Sequence, residues 1–115
     1  MRFRGIIAMV MVQNIERARR FYRDVLGFTL ESEQEDIVIF QEGVGLQAAP
    51  DVTSQLRFDP NSVLIALYVE SVQEAFDELT EKGVAFLLLP TTEGGLTFAT
   101  FRDTENNLLQ LIEEH

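Results

Sequence analysis

The chain has 115 residues, which bounds it to one domain while allowing a full hydrophobic core. Hydrophobic residues at 46% and charged residues at 24% are globular values and exclude a disordered chain. The 19 acids against 9 bases, a formal charge of −10, argue against nucleic-acid binding, and the absence of cysteine excludes disulfides, thiolate nucleophiles and Cys-ligated zinc.

Arg2, Arg4 and the apolar run Ile6 to Val12 have the outline of a signal peptide. The run gives way to Gln13, Asn14 and a charged helix without a small-residue cleavage site, and no stretch approaches the ~20 apolar residues of a membrane span. It reads as the first strand of a cytoplasmic protein. Ile7, Met9 and Met11 alternate with Ala8, Val10 and Val12, so both faces of this strand are apolar. A strand with one wet face would alternate apolar with polar, so the second face needs its own explanation. Asn14 is a good helix N-cap, and Ile15, Ala18, Tyr22 and Val25 follow near helical spacing. The helix is expected over 15–26, with Gly27 at the left-handed position after it. Strands are expected over 29–33, 37–41 and 45–49, and the two prolines in 50–62 mark a linker.

The pattern then restarts. Val63 to Val69 is a second apolar strand, and Ser71 with Glu74 has the form of a capping box. Val72, Ala75, Phe76 and Leu79 form the buried stripe of the second helix, with Lys82 suiting its last turn and Gly83 as the stop. Strands are expected over 85–89, 97–102 and 108–113, with turns at Gly94-Gly95 and at "DTENN". Val12, Asn14, Ile15 and Ala18 match Val69, Ser71, Val72 and Ala75 at a constant offset, which also carries Ile7 onto Leu64. The first helix is one residue longer, so Gly27 falls on Gly83, and Leu46-Gln47 pairs with Leu109-Gln110. Each half reads βαβββ. A half this small cannot bury both faces of its sheet, so the halves are expected to pair.

The stretches "VQNIERARRFYRDVLGF", "LYVESVQEAFDELTEKGV" and "FRDTENNLLQLIEE" resemble the vicinal oxygen chelate superfamily. That superfamily includes glyoxalase I, extradiol dioxygenases, fosfomycin-resistance transferases and bleomycin-resistance proteins. The resemblance covers nearly the whole chain. It implies an α+β fold of two tandem βαβββ modules, residues 5–49 and 63–115, whose mixed sheets curl into a cup. The helices would lie outside, ligands inside, and the protein would be a homodimer. It also implies where metal-dependent members place their ligands: a His on the first strand of each module and a Glu on the last. Mapped by motif, these positions are Ile7, Leu64, Gln47 and Gln110. Aliphatic side chains donate nothing, and neutral amides are weak ligands that bring no charge against a dication. No metal and no other cofactor is therefore expected.

Other residues offer less. The single histidine, His115, reads as a frayed end. Glu74, Asp77, Glu78 and Glu81 on the second helix, and Arg17, Arg19, Arg20 and Arg23 on the first, read as solvated faces; the arginines alternatively form a pairing surface for an acidic partner or the other subunit. No His is placed to activate Ser or Thr, so no catalytic residue is assigned. By period-2 alternation the cup lining comprises Ile7, Met9 and Met11; Gly45, Gln47 and Ala49; Leu64, Ala66 and Tyr68; and Leu108, Gln110 and Ile112. Val10, Val12, Ile65, Leu67, Val69, Leu109 and Leu111 face the helices. Arg102 and Tyr68 are polar groups able to enter the cup, and Phe40, Phe58, Phe98 and Phe101 lie nearby on faces left open. Ile7, Met9, Met11, Gln47, Leu64, Tyr68, Arg102 and Gln110 are thus the candidate ligand contacts.

The leading expectation is a metal-free binding protein that sequesters a hydrophobic or cationic organic compound, as bleomycin-resistance proteins do. The alternatives are a lyase, isomerase or dioxygenase with an atypical metal site, and a cup filled by its own side chains or by the dimer partner.

Overall fold

The computed structural model of the protein describes residues 1, 2, 4–48 and 64–115, and within them the βαβββ pattern occurs twice. The linker, together with Ala49, Phe58 and Val63, falls outside the described residues. The chain divides into two compact units, residues 1–58 and 59–115.

In the first unit, β1 (Ala8–Val12) is followed by α1 (Ile15–Arg20), a π-helical turn (Phe21–Val25), β2 (Leu30–Glu33), β3 (Ile37–Phe40) and β4 (Val44–Ala48). The sheet order is β1-β4-β3-β2, with β1 parallel to β4 and the other pairs antiparallel. Asn14 caps α1 by accepting from the Arg17 N–H at 3.1 Å. The extra residue that the sequence assigns to this helix is absorbed by the π turn, where the Leu26 N–H reaches back five residues to the Phe21 carbonyl. Gly27, at φ +79°, ends it as expected. Beneath the helix, Tyr22 stacks on Phe40 at 6.0 Å, and Phe28 meets both rings edge-on. Val10, Val12, Val38 and Leu46 are buried with them.

In the second unit, β5 (Leu64–Tyr68), α2 (Val72–Glu81), β6 (Phe86–Glu93), β7 (Leu96–Arg102) and β8 (Leu108–Glu114) give the order β5-β8-β7-β6. β5 runs parallel to β8. Ser71 Oγ accepts from the Glu74 N–H at 3.2 Å, which is one half of the expected capping box. The box's other half is not formed; another N-terminal donor of the helix, the Val72 N–H, is met at 2.9 Å by Glu113 Oε1 from β8. Helix α2 packs over β6, β7 and β8. Leu109 and Leu111 are accordingly buried, whereas Ile65, Leu67 and Val69, on or beside the edge strand β5, are only half-buried. Phe86 packs between Phe76 and Phe101, so Phe40 and Phe101 both belong to helix-side cores.

Strand β6 extends past the expected end at Leu89 to Glu93. It does so by bulging between Leu88 and Thr91, which accommodates Pro90 on an edge strand. Gly94 and Gly95, both at positive φ, make the two-residue turn into β7. The β7–β8 connection is built on the buried Asp103. Its carboxylate accepts from the Glu105 and Asn107 N–H groups and from Asn107 Nδ2, at 2.8 to 2.9 Å.

Candidate functional site

Each sheet has one face under its helix and one open face, and the candidate contacts lie on the open faces. In the first unit the ladders arrange that face in rows across three strands: Met9, Gly45 and Ile39 in one, Met11, Gln47 and Ile37 in the next. Ile7, expected within the first strand, instead lies just before β1 and is 40% exposed. In the second unit the rows are Leu64, Leu108 and Arg102; then Ala66, Gln110 and Thr100; then Tyr68, Ile112 and Phe98. Leu64 and Tyr68 are 46% and 69% exposed. The open faces are therefore largely apolar with a few polar groups, Glu93 and Glu114 flanking Leu96 in the last row of the second, and Phe98, unlike Phe101, belongs to one of them.

These rows correct the repeat alignment. The helix caps, Asn14 and Ser71, make Met9 the counterpart of Ala66. Met9 lies opposite Gly45, and Ala66 lies opposite Gln110. The counterpart of Gln110 is therefore Gly45, not Gln47, and Gln47 corresponds to Ile112. The hydrogen-bond phase agrees: Ala8 N–H bonds to the Gly43 carbonyl and Val69 N–H to the Ile112 carbonyl, as the same shift requires. The first unit thus carries no side chain where the second carries an amide. A Cβ on Gly45 would lie 2.5 Å from Met9 Sδ and 2.9 Å from Ile39 Cδ1, so those two side chains fill that place.

Gln110 is half-buried, and its Nε2 donates to Thr100 Oγ1 at 3.3 Å. Thr100 escaped the sequence reading, although period-2 alternation from Arg102, named as able to enter the cup, sets Thr100 on the same face. Arg102 Nη1 donates to the Asn106 carbonyl at 2.8 Å, which ties the guanidinium to the β7–β8 turn. Gln47 has no side-chain hydrogen bond among the described residues. With Gly45 in place of Gln47, the motif-mapped metal positions hold two aliphatic side chains, a glycine and one amide. This donor set does not fit a divalent cation. Among the described residues no group of three or more His, Cys, Asp or Glu is placed to hold a metal.

The remaining candidates are structural. His115 is tied down rather than frayed: its N–H bonds to the Gly95 carbonyl, Nε2 lies 2.6 Å from Thr97 Oγ1, and Nδ1 lies 3.6 Å from Glu113. Arg19 pairs with Glu16 and, at 2.7 Å, with Glu33. Arg23 pairs with Asp24 at 2.8 Å, and this hydrogen bond holds the exposed Asp24 carboxyl below the usual carboxylate range. A cleft of about 340 Å³ opens beside Arg19, between α1 and the β2–β3 turn, lined by Ile15, Val38 and three glutamates. Val38 is a helix-side core residue, so this cleft is separate from the open face.

Comparison with known proteins places this geometry. Residues 6–111 match the model of the Glyoxalase/Bleomycin resistance protein/Dioxygenase superfamily. The chain belongs to that superfamily. Among its relatives, the Bacillus subtilis (strain 168) protein YurT is 28% identical over 95% of this chain and 98% of its own. A protein of unknown function from Agrobacterium tumefaciens str. C58 superposes with a TM-score of 0.84 at 19% identity, covering 100% of this chain and 97% of that one. TnmS3, an antibiotic-binding protein from Streptomyces sp. CB03234, gives 0.74 at 21% identity over 96% of this chain and 97% of its own. Within the superfamily, this member carries no His, Cys, Asp or Glu at the four mapped positions, Ile7, Gly45, Leu64 and Gln110.

Proposed function

We propose that the protein is a metal-free, homodimeric, cytoplasmic small-molecule-binding member of the superfamily. It holds a hydrophobic or cationic organic compound, such as an antibiotic, on the open faces of its sheets. The observation that carries this reading is the composition of those faces. Met9, Met11, Ile37 and Ile39 on one, and Leu64, Tyr68, Phe98 and Ile112 on the other, offer apolar and aromatic surface. Among the described residues, no group of three or more His, Cys, Asp or Glu stands on these faces to hold a metal. Methionine adapts to irregular apolar shapes and packs well on rings. The likeness to an antibiotic-binding protein supports the suitability of the fold for this role.

A thermal-shift screen over aromatic antibiotics, hydrophobic cations and small thiol conjugates tests the reading, together with elemental analysis of the purified protein. Ligand at 100 times its Kd adds about 2.7 kcal/mol of stability and raises Tm accordingly. The expected result is stabilisation by an apolar compound and no stoichiometric divalent metal. A metal retained by native side chains at one per chain would overturn it.

A further inference from the structure

Resting on that reading and deepening it, we propose that Gln110 and Thr100 form its polar recognition point, taking the edge of a lactam or carboxamide. The inference starts from the equivalent rows of the two units. In the first, Met9, Gly45 and Ile39 leave no polar group, and Met9 and Ile39 occupy the space above the glycine. In the second, the same row reads Ala66, Gln110 and Thr100. The large residue has become small where the glycine has become an amide. Ala66 is exposed and too short to cover its neighbour as Met9 does, so the carboxamide of Gln110 faces an open position.

The hydrogen bonding of that carboxamide selects the ligand group. One Nε2 hydrogen is given to Thr100 Oγ1, and this contact orients the amide plane. What remains is a second Nε2 hydrogen, the Oε1 acceptor and the hydroxyl hydrogen of Thr100. A lactam or carboxamide edge presents N–H and C=O side by side, so it makes two bonds to Gln110 at once. An ammonium would find one neutral acceptor and no countercharge in this row. A carboxylate would be set against Oε1. The adjacent row of Tyr68, Ile112 and Phe98 supplies the surface on which a ring fused to such an edge would lie.

The test uses two ring-matched probes on the full chain, labelled with ¹⁵N. The first is 2-quinolinone, a lactam; the second is 2-methoxyquinoline, which keeps the rings but lacks the N–H. The expected result is that 2-quinolinone shifts the Gln110 side-chain amide signals and binds about tenfold tighter or more, the discrimination of a hydrogen-bonding edge. Gln110→Leu brings the two affinities to a ratio near one, and Thr100→Val, which removes only a hydroxyl, narrows the ratio. Equal binding of both probes to the wild-type chain, with shifts on the same face, overturns the proposal and leaves the apolar-binding reading standing. No shift with either probe overturns both.

Discussion

A Cβ added to Gly45 would meet the ends of two flexible side chains, Met9 Sδ at 2.5 Å and Ile39 Cδ1 at 2.9 Å, so its neighbours must move to admit it. Gly45→Ala is expected to cost about 1–3 kcal/mol, the usual penalty for overpacking. In a Met9→Ala background the main obstacle is gone, and the cost of the added methyl should fall by about 1 kcal/mol or more. Urea denaturation of the four proteins of this double-mutant cycle measures that coupling. Strict additivity would show that the two side chains do not compete for one space. The same residue shows how far a sequence can be read. Alternation placed Gly45, Gln47 and Gln110 on open faces, and the ladders agree. Alternation could not place them in rows, because a slip of two residues returns every side chain to the same face. Pairing Leu46-Gln47 with Leu109-Gln110 made that slip, and only the hydrogen-bonded register exposes it.

The helices were the most legible elements, since caps and stops are local chemistry. Asn14, Ser71, Gly27 and Gly83 all sit where their types predict. What was missed depends on partners remote in sequence or on irregular backbone: the π turn after α1, the bulge that carries β6 past Pro90, and Glu113 at the start of α2. The last supports a prediction. Val72 is buried, and its N–H donates to Glu113 Oε1 across 41 residues of chain, so the contact fastens the helix to β8. Glu113→Ala leaves that donor without its acceptor and should cost about 1–2 kcal/mol, the range of a lost helix cap or an unmet buried donor. Glu113→Gln keeps a carbonyl oxygen in place and should cost less than half as much. Thermal denaturation gives the loss, and amide hydrogen exchange in the first turn of α2 localises it. Equal losses for both variants would assign the effect to charge rather than to the hydrogen bond.

At the scale of the molecule, the repeat made the architecture readable, because a βαβββ unit leaves one sheet face open and two such units appear in 115 residues. The net charge of −10 belongs to this scale too, since it acts through a field rather than a contact. The mapped ligand positions carry no acid, so the charge lies elsewhere on the chain and acts on those positions through its field. Such a field raises the encounter rate of a cation and is screened by salt, over a Debye length of about 30 Å at 0.01 M and about 3 Å at 1 M. Local hydrogen bonds and apolar contacts are little affected over that range. Stopped-flow association of a cationic aromatic dye, acridine orange, should therefore slow by about tenfold or more as salt rises across it, while its dissociation rate changes far less. A neutral aromatic such as 2-quinolinone should associate at a rate nearly independent of salt. A flat profile for the cation would mean that the acidity serves solubility alone, and a salt-dependent dissociation rate would place a carboxylate in direct contact with the dye.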